Sequence, residues 1–219
     1  MSQLKLAVLL VGLLLVTLPV DVQGRMGFDI SAFHGPVDCF DEIVAAGHSF
    51  MIIELQSAHV WNKDLIHNIN GARKAGINDI DVYLFPQKNR TAREQVTSAI
   101  TFLQTNQIEY GTFWFDVENQ TYWFDTCDEN IEFLKEMLAV ALEFLPPERV
   151  GIYVEYYFWK PLMCLSELFS GFKLWWPRFD GSTSMDTFKP FGGWNKPVMK
   201  QYLPDQIVAC AKVDIDWKP

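Results

Sequence analysis

The run Thr112-Phe-Trp-Phe-Asp-Val-Glu118 closes on two acids two positions apart. In an extended segment side chains alternate between faces, so Asp116 and Glu118 project the same way, roughly 6.7 Å apart along the strand. Acids at the tip of an apolar strand are costly to keep without compensation. Like charges held so close push one pKa upward, leaving one protonated acid and one carboxylate near neutral pH. Such a pair can protonate a glycosidic oxygen and stabilise the positive charge left on the sugar. A solvated loop after the strand would hold the same acids without chemistry, so the elements around them must decide.

Strand-like runs occur at 26–31, 50–55, 81–85, 112–117 and 150–154, with helical stretches between them. Residues 64–75 place Leu65, Ile69 and Ala72 on one face, and Thr91-Ala-Arg-Glu94 is a capping box opening a helix striped with Val96, Ile100 and Leu103. Thr126-Cys-Asp-Glu129 opens another, stopped by Pro146-Pro147, and shorter helices are predicted over 39–46 and 156–168. After 168 the pattern changes. Segments 174–176, 198–203 and 210–215 read as strands, but their connections are rich in Gly, Pro and aromatics and lack a helical period. Eight strands with about five helices predict an α/β fold, an irregular eight-stranded TIM-like β/α barrel without its last three helices. A doubly wound open sheet is the alternative, although no Gly-x-Gly-x-x-Gly or Walker motif marks a nucleotide crevice.

Barrel active sites sit at the C-terminal ends of the strands. Asp29 lies late in strand one, Asp116 and Glu118 end strand four, and Asp214 lies late in strand eight. Strands one and eight are neighbours in a closed barrel, so four acids are predicted to face one cleft. Tyr83, Trp114, Tyr153, Trp175 and Tyr202 fall near strand ends, where they could stack on sugar rings or serve as core. His34, soon after Asp29, could touch substrate, but an ordinary polar loop residue is the favoured reading. His48, His59 and His67 have no metal-ligand spacing, so neither metal nor cofactor is expected.

The first 24 residues read as a secretory leader: Lys5, an apolar run from Leu6 to Val20, then Val22-Gln23-Gly24. That run, about 15 residues, is short for a membrane span. Residues 25–219 then form one domain, exported and monomeric. Four cysteines allow two bridges in three connectivities. Asn89-Arg-Thr91 and Asn119-Gln-Thr121 are glycosylation sequons. A net charge of −9 argues against nucleic acid and anionic membrane as partners.

The ordered set Gly27-Phe-Asp-Ile-Ser31, Asp116-Val-Glu118, Val150-Gly-Ile-Tyr-Val154, Leu174-Trp-Trp-Pro177, Phe188-Lys-Pro-Phe-Gly-Gly-Trp194, Lys200-Gln-Tyr202 and Val213-Asp214 resembles the lysozymes of glycoside hydrolase family 25, closest to their animal and protist branch. The resemblance covers 27–217. It implies hydrolysis of the bond between N-acetylmuramic acid and N-acetylglucosamine in bacterial peptidoglycan, for defence or digestion. It also implies Glu118 as general acid, Asp116 beside the sugar's acetamido group, and Asp29 and Asp214 as supporting acids. Glu54, where relatives more often carry a basic or polar residue, and Val82-Tyr-Leu-Phe-Pro86 depart from the pattern. Competing expectations are a chitin-cleaving enzyme and a catalytically silent glycan-binding or immune-signalling barrel. Barrel closure suggests the bridge Cys39–Cys210, the helical segments after consecutive strands four and five suggest Cys127–Cys164, and the clustered acids suggest activity favoured by mild acidity.

Overall fold

The computed structural model describes residues 24–219, so the predicted leader lies outside the described residues except for Gly24. The chain runs β1 (Arg25–Ile30), α1 (Phe40–Ala45), β2 (His48–Ser57), β3 (Val60–Trp61), α2 (Leu65–Lys74), β4 (Asp79–Phe85) and α3 (Ala92–Thr105). It continues through β5 (Phe113–Asp116), α4 (Cys127–Leu142), β6 (Val150–Tyr153), α5 (Tyr156–Met163), β7 (Lys173–Pro177), β8 (Met199–Val208) and β9 (Ala211–Lys218). The strand order is β1-β9-β8-β7-β6-β5-β4-β2-β3, and a β1–β2 pairing closes eight strands into a barrel. Strand β3 is a two-residue return on the end of β2, outside the closed ring. The predicted capping box forms, with Thr91 accepting from the Glu94 N–H and Glu94 from the Thr91 N–H. Helix α5 stops at Met163, five residues short of its predicted end, where Cys164 turns left-handed with φ 47°.

One strand differs in direction from a regular β/α barrel. Strand β9 is antiparallel to both β8 and β1. Only Ala209 and Cys210 link it to β8, far too few residues for the crossover that a parallel pair needs. The early half of β9 therefore lies at the end where the parallel strands finish. Asp214 reaches that end because its strand runs backwards, not because it comes late.

Alternation splits the apolar side chains into two cores. Phe50, Ile52, Tyr83, Trp114, Tyr153, Trp175 and Met199 fill the barrel interior. A larger layer lies between barrel and helices, including Met51, Ile53, Leu55, Phe113, Phe115 and Trp176. Two strand glycines make room for the interior rings: a Cβ at Gly27 would lie 2.4 Å from Phe50, and one at Gly151 2.3 Å from Trp114. Each fully buried large side chain contributes about 1.5–3 kcal/mol.

Bridges join Cys39 to Cys210 and Cys127 to Cys164, the predicted connectivity. The first ties the segment after β1 to the β8–β9 turn, and the second ties α4 to the end of α5. Among the described residues, no helix is long and apolar enough to cross a membrane.

Candidate active site

A cleft of about 520 Å³ opens at the C-terminal end of the parallel strands, and Asp29, Asp116, Glu118 and Asp214 all line it. Asp116 is the last residue of β5 and points inward. Val117 extends the ladder by donating its N–H to Tyr153 O, which carries Glu118 past the rim. The Trp123 indole N–H then donates to the Glu118 carbonyl at 3.0 Å, and Asn119 turns the chain away with φ 51°. Glu118 thus sits over the cleft with a fixed backbone, and Asp116 lies below it.

Asp29 and Asp214 are direct partners across β1 and β9. A bulge in β8 at Pro204-Asp205 presents the Asp205 N–H to Asp214 Oδ1 at 2.7 Å. Gln201 joins the two acids. Its Nε2 donates to Asp29 Oδ2 at 2.6 Å and to Asp214 Oδ2 at 3.2 Å, while Tyr153 Oη donates to its Oε1 at 2.7 Å. The Tyr153 bond fixes the amide so that its N–H groups face the carboxylates.

Two further acids lie beneath the cleft. Glu54 is 3% exposed and accepts from the Ala32 N–H. Asp216 is fully buried, with Trp175 Nε1 donating to its Oδ1 at 2.7 Å. Its Oδ2 finds no N–H or hydroxyl donor, yet the carboxyl group touches that of Asp29. Burial, then the Asp29 charge, raise Asp216 well above the usual carboxylate range.

Among the described residues, Asp29, Glu54, Asp116, Glu118, Asp214 and Asp216 form no ion pair, although the Lys212 charge lowers Asp214 somewhat. Lys212, the one lysine lining the cleft, is paired with Asp205 at 2.8 Å. Burial, then the Glu54 and Asp214 charges, push Glu118 up to about 7. Burial and the Glu118 charge hold Asp116 well above the usual carboxylate range, and burial with Asp214 does the same for Asp29. Burial also raises Asp214 and Glu54. Asp116 Oδ1 is buried without a hydrogen-bond partner, a free acceptor at the base of the cleft. One acid is therefore poised to give a proton near neutral pH, beside another that can receive an N–H.

Of the five aromatics predicted to meet substrate, Tyr83, Tyr153 and Trp175 line the cleft. Trp114 and Tyr202 do not. Trp114 lies one pleat below Asp116, 2% exposed, its indole N–H donated to Asp81 at 3.0 Å. Tyr202 alternates with inward-facing Gln201 and so packs in the outer layer. His34, read from sequence as an ordinary loop residue, lines the cleft beside Phe33, which is 69% exposed at its mouth. Phe33, Gln201 and Asp216 were missed. Position 216, two residues beyond Asp214 on one strand face, and Gln201, inside the Lys200-Gln-Tyr202 motif, carried legible signals; Phe33 carried none.

Comparison with known proteins agrees with this geometry. The family model described as Lysozyme-like protein 1 matches residues 23–202. The chain is 31% identical over 203 residues to Lysozyme-like protein 5 of Caenorhabditis elegans, covering 89% of this chain and 92% of the relative. It is 32% identical over 202 residues to Probable GH family 25 lysozyme 2 of Dictyostelium discoideum, covering 90% and 92%. The fold matches a family GH25 lysozyme from Aspergillus fumigatus with TM-score 0.72 at 19% identity, over 90% of this chain and 94% of that one. A match across so much of both chains, on an eight-stranded barrel with an acid-lined mouth, makes this chain a member of the lysozyme-like glycoside hydrolases of family 25.

Proposed function

We propose that the protein is an exported, monomeric lysozyme that hydrolyses the β-1,4 bond between N-acetylmuramic acid and N-acetylglucosamine in bacterial peptidoglycan, in defence or digestion. The observation that carries this is Glu118, raised to about 7 above a buried Asp116 with an unpaired oxygen. In this reading the Glu118 carboxyl gives its proton to the glycosidic oxygen as the C1–O bond breaks. Asp116 accepts the N–H of the acetamido group, which raises the nucleophilicity of that group's oxygen toward C1. Water then opens the resulting ring, losing its proton to the Glu118 carboxylate, and the configuration at C1 is retained. Asp29 and Asp214, aligned by Gln201, supply negative charge opposite the developing cation. Tyr83, Tyr153 and Trp175 form the inner wall against the sugar, and Phe33 offers a ring at the entrance. The leader motif and the two bridges support export.

The test is incubation of mature protein with peptidoglycan and, separately, with chitin, measuring new reducing ends and the anomer first formed. Release from peptidoglycan alone, with a β-anomer product, is expected. Release from chitin alone would reassign the substrate, and binding with no release from either would make the barrel a lectin.

A further inference from the structure

A second cavity of about 500 Å³ lies at the same end of the barrel, outside its wall. It is bounded by Glu155 and Tyr156 just beyond β6, by Trp176 and Arg178 around the end of β7, and by the loop segment that carries Lys189. The two cavities share a wall. On β7, Trp175 faces the acid-lined cleft and Trp176 faces this groove, by simple alternation.

The far wall is held in place. Lys200 is 0% exposed and sends its Nζ to Asp180 Oδ1 at 2.8 Å, Asp180 Oδ2 at 3.0 Å and Ser184 O at 2.8 Å. Phe188 packs edge-on against Trp176 at 5.1 Å and contacts Phe191 at 5.7 Å. A buried charge tied to three oxygens and two ring contacts make this loop a wall, not a lid. The groove is therefore formed before any ligand arrives.

Its charge is the reverse of the cleft's. Arg178 and Lys189 outnumber Glu155, whose carboxylate is 4.0 Å from the guanidinium and outside hydrogen-bond distance. Tyr156 is 37% exposed on the groove and the neighbouring Tyr157 68%. A guanidinium held only loosely by Glu155, beside tyrosine faces, suits a carboxylate carried on a short, partly apolar arm.

We infer that this groove seats the acidic peptide branch of the wall polymer, with its carboxylates on Arg178 and Lys189, while the glycan lies in the cleft. The inference rests on the peptidoglycan reading above. Each muramic acid bears such a peptide on its lactyl group, and the acid-lined cleft repels that charge. An extended peptide of three or four residues reaches about 10–14 Å, and the wall it must cross is β7, whose Trp175 lines the cleft and whose Trp176 lines the groove.

Binding is measured by calorimetry with two soluble fragments, a peptidoglycan tetrasaccharide with its peptides and the same tetrasaccharide after amidase removal of them. The protein with its leader removed should bind the peptide-bearing fragment about tenfold tighter, as expected from one good charge-assisted contact. The double variant Arg178→Ala/Lys189→Ala should lose that preference, bind the peptide-free fragment as before, and melt at the same temperature. Arg178→Lys should retain part of the preference. Equal affinity of the two fragments, failure to bind either, survival of the preference in the double variant, or equal weakening on both fragments would each overturn the proposal. Reducing-end release, followed in parallel, reports on the lysozyme reading alone, because the peptide preference needs no turnover.

Discussion

At the N-terminal end of the barrel, Asp79 lies between Arg25 at 2.6 Å and Lys218 at 2.8 Å, and the Lys218 ammonium also sits 4.2 Å from the centre of the Phe50 ring. Nearby Asp81 is tied to the Thr112 N–H and the Trp114 indole. At the other end, Asp29, Asp116, Glu118, Asp214, Glu54 and Asp216 crowd together, and the one lysine lining the cleft is engaged by Asp205. Burial alone would raise Asp79, but Lys218 and then Arg25 outweigh it and lower its pKa. Burial and mutual repulsion raise the acids of the cleft. Acids paired with cations close one end of the barrel, and acids without an ion pair, raised above their usual pKa, crowd the other. The second arrangement costs stability, as expected where side chains are kept for chemistry.

The sharpest break in this contrast is Glu118→Gln. The amide nearly matches the carboxyl in shape but cannot donate the acidic proton, so kcat should fall about 10²–10⁴-fold. The fold should persist, and the melting temperature at neutral pH should hold or rise, since one crowding charge is gone. Wild-type turnover in this variant would remove Glu118 from the mechanism. Next comes the buried acid beneath Asp29. Asp216→Asn keeps an acceptor for Trp175 and an N–H for Asp29, so it should retain activity within about threefold. Asp216→Leu removes both and should lower kcat about tenfold, the worth of one charge-assisted hydrogen bond. Equal behaviour of the two variants would show that a polar side chain at position 216 has no part in aligning Asp29.

These residues differ in how openly the sequence declares them. Asp116 and Glu118 were legible because they follow an apolar strand at a spacing of two, and alternation fixes their common side. Helix α3 was legible from its Thr91–Glu94 box, the Cys39–Cys210 bridge from the neighbour relation of the first and last strands, and Cys127–Cys164 from the helices that follow consecutive strands. The direction of β9 was not, because it depends on β8 running on past the Pro204 bulge to Val208 before turning back. Without that direction, Asp216 reads as one more acid near a terminus. Trp114 and Tyr202 show the same limit: a strand-end aromatic can lie above the barrel floor, within it or outside it, and register decides. Glu54 was visible as a departure from the family pattern, but its burial behind the cleft needed the inward face of β2.

At the partnered end, Asp79→Ala should leave kcat unchanged and lower stability by about 1 kcal/mol, a modest figure because the pair is partly solvated. Urea melts of this variant beside Glu118→Gln would set the two ends side by side. Destabilisation by both, or a loss of kcat in Asp79→Ala, would mean that the two ends are not separable as described.

The smallest expected effect tests what sets the proton affinity of Glu118. An acid raised from its ordinary 4.5 to about 7 on folding binds more protons in the folded state between those values. Its contribution to stability is therefore present at acidic pH and is lost as pH rises through about 7, the reverse of Asp79, whose contribution is lost as pH falls. Activity that needs protonated Glu118 should fall along the same limb, near pH 7. After burial, the largest influence on Glu118 is the charge of Glu54, which lies behind the cleft and does not line it. Glu54→Gln should keep the Ala32 N–H satisfied through its amide oxygen, preserve kcat at the acidic plateau, and move the alkaline limb of the rate profile to lower pH. A limb that stays in place would show that burial alone tunes the acid, and that Glu54 serves only to hold the loop after β1.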